Sequence, residues 1–161
     1  YPIIRYADIL LMYAESLNHL TKAYEIKLGD ETYSVSRDLN EIKSAFNLVR
    51  HRSGMPGISN NDLADEETFQ KILEIERMKE FLHEGQRYFD VRRWGIYEET
   101  ENETIMGMNV DGSKENFYQR TVPNTSRIGA RLVHKKLYLL PIPLNEIRKL
   151  PSCDQNPDWE S

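Results

Sequence analysis

The sequence predicts an all-α protein: helical hairpins first, then long irregular loops, then an extended C-terminal segment. Three observations carry this. Apolar residues recur at helical spacing in three stretches before Gly95. Residues 98–131 scatter Asn, Gly, Ser and Thr and keep no period of either kind. The run Leu137-Tyr138-Leu139-Leu140-Pro141-Ile142-Pro143 is apolar but fenced by prolines. Proline lacks an N–H and restricts its predecessor, so this run reads as an extended segment crossing the core. The expected organisation is a helical hairpin over 1–56, a helix pair over 65–95, loops over 96–136 and an extended tail over 137–161.

Tyr6 to Leu20 reads as the first helix. At about 100° per residue, Tyr6, Ile9, Leu10, Tyr13, Leu17 and Leu20 share one stripe, with Asp8, Glu15 and His19 opposite. The connector from Thr21 to Asp38 contains a Gly29-Asp30 turn, and the first helix is expected to run a few residues into it. Leu39 to Ser53 repeats the pattern, with Leu39, Ile42, Ala45, Phe46 and Val49 on one side. Asp38 is its N-cap, with Glu41 at the capping-box spacing, and Gly54 and Pro56 stop it. A third helix runs from about Glu66 to Glu84, capped by Asp65 and closed by Gly85. It carries two apolar faces, Phe69, Ile72 and Leu73 on one and Ile75, Met78 and Leu82 on the other. Two such faces mean a helix covered from both sides, as in stacked helical hairpins. A short helix follows from Arg87 to Trp94, and Gln155-Asn156-Pro157-Asp158-Trp159 is a turn ending on a large aromatic.

The 161 residues amount to one domain, and 39% hydrophobic with 29% charged residues is a globular composition. No apolar run reaches the ~18–20 residues of a membrane helix. A net charge of −5 argues against nucleic acid as the main partner, since phosphate binding needs a positive field. The single Cys153 excludes an internal disulfide and a zinc site of several thiolates. The opening Tyr1-Pro2-Ile3-Ile4-Arg5, without Met or a signal-like stretch, reads as the start of a C-terminal part whose N-terminal part lies elsewhere.

Candidate chemistry is densest between Glu76 and Trp94. Glu76 and Glu80 lie one turn apart on the Phe69 face and point inward, and buried carboxylates must be paired or neutral. They are either an acid/base pair, as in glycoside hydrolysis, or part of a structural ion-pair network with Arg50, Arg87, Asp90 and Arg93. The network is preferred, because basic residues abound nearby and the apolar company leaves no room for a sugar. No catalytic residue is therefore expected. Glu80-x-x-His83 is half of a di-iron motif, and His83-Glu84 begins a zinc motif whose second His is missing, so no metal or other cofactor is expected. GxGxxG, P-loop and GxSxG patterns are absent. His19, His51, His83 and His134 read as surface or satisfied groups. Asn102-Glu103-Thr104 and Asn124-Thr125-Ser126 match the weak glycosylation sequon. The loop aromatics Tyr24, Tyr33, Tyr97, Phe117, Tyr118 and Trp159 offer flat faces for sugar rings or hydrophobic ligands, or tuck loops onto the core. Two or three of the six are expected to tuck, and Tyr97, Phe117 and Tyr118 are the candidate ligand contacts.

Four separated runs add a resemblance. They are Ile4-Arg5-Tyr6-Ala7-Asp8-Ile9-Leu10-Leu11-Met12-Tyr13-Ala14-Glu15-Ser16-Leu17-Asn18, Phe46-Asn47-Leu48-Val49-Arg50-His51-Arg52-Ser53-Gly54-Met55-Pro56, Glu84-Gly85-Gln86-Arg87-Tyr88-Phe89-Asp90-Val91-Arg92-Arg93-Trp94-Gly95, and Leu139-Leu140-Pro141-Ile142-Pro143 through Trp159. In this order they resemble the C-terminal region of SusD/RagB-type proteins of Bacteroidetes. The resemblance implies an all-α fold of tetratricopeptide-like hairpins with long irregular loops, the first two helices being the last hairpin. It implies a non-enzymatic lipoprotein of the outer-membrane cell surface. Such a protein binds an oligosaccharide or polysaccharide, or in some members peptides, and serves a TonB-dependent transporter of the SusC type. Membrane contact would come only through a lipid anchor outside this segment, and the family's ligand-binding aromatics lie mostly upstream. The connector at 21–38 is longer than the resemblance leads one to expect, and Cys153 is unusual for it.

Overall fold

The structure, a computed structural model, describes residues 4–102, 104–110, 115, 117–122, 133–150 and 152–159. Both expected sequons include residues outside that set. The chain divides into two compact units, residues 1–87 and 88–161.

The first unit is built on α1 (Tyr6–Asn18), α2 (Leu39–Arg52) and α3 (Glu66–Glu80), with α1 packed against both others. Leu11, Ala14, Ile42, Phe46, Val49, Phe69 and Leu73 form its core, and Phe46 meets Phe69 edge-on at 5.3 Å. A 3₁₀ turn at Asn61–Leu63 adds the buried Leu63. Asp38 caps α2 by accepting from the N–H groups of Asn40 and Glu41, and Asp65 caps α3 by accepting from that of Thr68. Glu41 does not complete a capping box. Its carboxylate takes the Tyr13 hydroxyl instead. Gly54 ends α2 at φ 70°, with Met55 N–H on the Arg50 carbonyl and Gly54 N–H on that of His51, a Schellman closure.

Three expectations need correction here. The buried face of α1 is Ala7, Asp8, Leu11, Ala14, Glu15, Leu17 and Asn18, while Tyr6, Ile9 and Tyr13 are exposed. The helix is rotated from the expected stripe because Asp8 is drawn inward by Arg77 of α3, at 2.9 Å with both side chains buried. Next, α1 stops at Asn18, and the connector forms an antiparallel hairpin of β1 (Tyr24–Leu28) and β2 (Glu31–Val35) about the Gly29-Asp30 turn. Finally, α3 stops at Glu80 rather than Glu84, and a turn through His83 and Gly85, both at positive φ, follows. Of its two apolar faces, Phe69 and Leu73 are buried, whereas Ile75, Met78 and Leu82 are exposed.

The second unit holds most of α4 (Gln86–Arg93), then α5 (Tyr97–Glu101), the short pair β3 (Gly107–Met108) and β4 (Arg120–Thr121), a 3₁₀ turn at Lys135–Tyr138, and α6 (Leu144–Lys149). The expected loops thus open with a helix, and the expected extended tail contains another. The proline-fenced run does not cross a core: Leu139 and Leu140 are exposed. It is held by polar side chains instead. Gln155 bonds both the N–H and the carbonyl of Ile142, in the manner of a neighbouring strand, and Asn156 Nδ2 donates to the Leu140 carbonyl.

Candidate functional site

Two groups of side chains are candidates: the carboxylates of α3 and the aromatics of the loops. Glu76 is buried, and its Oε2 accepts from Arg50 Nη1 at 2.7 Å, while Arg50 Nε donates to the Pro56 carbonyl. Glu80 takes Arg5 Nη1 at 2.8 Å and Arg52 Nη2 at 2.6 and 2.7 Å. Arg5 also forks onto Glu84, Nε and Nη2 donating at 2.9 and 2.7 Å, and its Nη2 donates to the Glu80 main-chain carbonyl at 2.9 Å. That carbonyl is one of the acceptors a helix leaves unpaired at its C-terminus. Arg5 therefore caps the end of α3 and ties it to the start of α1. Glu84 first, and Glu80 next, hold the Arg5 pKa above its ordinary value. Phe81 is buried with the Arg5 and Arg77 guanidiniums each 5.0 Å from its ring centre.

Arg5, Arg52 and Glu84 are the members that the sequence reading missed. Arg5 is 75 residues from Glu80, and no local spacing relates them. Of the remaining expected members, Asp90 is buried in α4 and accepts from Arg93 Nε at 2.9 Å, and Arg87 lies half-buried in the first turn of α4. An apolar groove of about 300 Å³ lies beside the Arg5 clamp, lined by residues that include Leu10, Leu48 and Val49, with no carboxylate or imidazole among them. Among the described residues, no three His, Cys, Asp or Glu side chains gather as metal ligands would.

The six loop aromatics separate. Tyr97 packs edge-on against Tyr138 at 5.4 Å, and Arg92 lies over both Tyr97 (4.1 Å) and Tyr88 (3.6 Å). The Tyr138 hydroxyl donates to the Gly95 carbonyl and accepts from Tyr97 N–H. Trp159 Nε1 donates to the carbonyls of Lys136 and Leu139. Those two rings fasten loops. Tyr24, Tyr33, Phe117 and Tyr118 are exposed. Phe117 and Tyr118 lie 4.0 Å apart, tilted by 43°, on a turn where Tyr118 takes φ 61° and its N–H bonds the Asn109 carbonyl. No ring contact joins Tyr97 to either of them among the described residues.

A protein-family model, described as the SusD family, matches residues 1–159. This chain belongs to the SusD family. Its fold agrees with that of a SusD-like protein from Bacteroides fragilis (BF3747), at a TM-score of 0.73 and 29% identity over 98% of this chain and 25% of the other. Two structures of BT4246, one of them of selenomethionine protein, give TM-scores of 0.66 and 0.67 at 25% and 26% identity, over 95% of this chain and 23–24% of theirs. The SusD-family segment thus spans about a quarter of the length of these solved chains. No curated protein gives a significant match. Within the family segment, Arg5, Arg50, Arg52, Glu80 and Glu84 all fall in the first unit and close it upon itself.

Proposed function

We propose that this chain is part of a cell-surface protein that captures glycans and delivers them to a TonB-dependent transporter of the SusC type. The protein would sit on the outer membrane through a lipid anchor outside this segment and carry no catalytic machinery of its own. Membership of the SusD family across residues 1–159 is the observation that carries this reading. The site chemistry agrees with it. The two inward carboxylates of α3 are occupied by guanidiniums and not set across an open cleft, as a glycosidase requires. Exposed rings at Phe117 and Tyr118 offer apolar faces, and Tyr118 a polar tip, the surface a sugar ring stacks on. Tyr97, engaged by Arg92 and Tyr138, stands apart from that surface.

The test uses the intact protein. Its migration through native gels cast with starch, xylan, mannan or β-glucan is expected to slow in one of them, and its SusC-type transporter is expected to co-purify with it from detergent-solubilised outer membranes. Unchanged migration in every gel, with no transporter recovered, contradicts the proposal.

A further inference from the structure

We draw no further inference here: the strongest candidate, the apolar groove of about 300 Å³ lined by Leu10 of α1 and Leu48 and Val49 of α2 beside the Arg5 clamp, carries nothing, because the chain spans about a quarter of its solved relatives' length and nothing in the structure shows what covers the groove.

Discussion

Arg5→Ala removes a guanidinium that, beside the Arg77–Asp8 pair, joins the start of α1 to the end of α3. The wild-type group makes four hydrogen bonds, to both Glu84 oxygens, to Glu80 Oε1 and to the Glu80 carbonyl. Its side chain is 25% exposed, and that of Glu80 is 8% exposed. Stripping one partner from a fully buried pair costs about 3–5 kcal/mol. Here Arg52 keeps its hold on Glu80 and Glu84 can turn to water, so the expected loss is about 2–3 kcal/mol. Arg5→Lys keeps the charge but cannot fork, and should recover less than half of that loss. Urea unfolding of the intact protein is the assay, with a lower midpoint at unchanged slope. A loss for Arg5→Ala within about 0.5 kcal/mol, the range of ordinary surface substitutions, would refute the clamp.

Three further outcomes follow from the same structure. Phe46→Ala, at the fully buried edge-on pair with Phe69, should lower stability by about 3–5 kcal/mol in urea unfolding. Glu80→Gln should lower the melting temperature and leave glycan affinity unchanged; reduced affinity at full stability would reassign Glu80 to the ligand site. The Asp65 carboxylate is held below its ordinary pKa by the Thr68 backbone N–H and then by the Thr68 hydroxyl. A lowered folded-state pKa means that its contribution is present above the unfolded value of about 3.9 and fades as pH falls through the folded value. The stability gap between wild type and Asp65→Asn, followed by urea unfolding from pH 6 downward, should therefore be constant to about pH 4 and shrink below it.

Local chemistry made the helices legible. The caps Asp38 and Asp65 and the stop at Gly54 are signals read from a few neighbouring residues, and all three act as their spacing suggests. The buried face of α2 likewise matches its expected stripe at Ile42, Ala45, Phe46 and Val49. Periodicity failed at α1 because an ion pair overrode it: Asp8 faces inward to Arg77, and Tyr6, Ile9 and Tyr13 turn outward. The hairpin at 24–35 was read only as its turn, although Tyr24-Glu25-Ile26-Lys27-Leu28 alternates apolar and polar residues just ahead of Gly29-Asp30, which is the strand-and-turn signal. The end of α3 was misplaced because the chain leaves the helix before Gly85, through a turn with His83 at positive φ, and the freed Glu80 carbonyl is taken by Arg5 from the other end of the unit. The same distance hid Arg5 and Arg52 from the list of Glu80 partners. Among the aromatics, the sequence showed which lie on loops. Whether a ring is spent on packing, as for Tyr97, or left open, as for Phe117 and Tyr118, depends on contacts such as those of Arg92 and Tyr138.

The most direct test of glycan capture is calorimetric titration of the intact protein with a panel of polysaccharides, with reducing ends assayed in the same samples. Saturable heat with no new reducing ends is the predicted result. New reducing ends would contradict it and return attention to Glu76 and Glu80 as an acid/base pair.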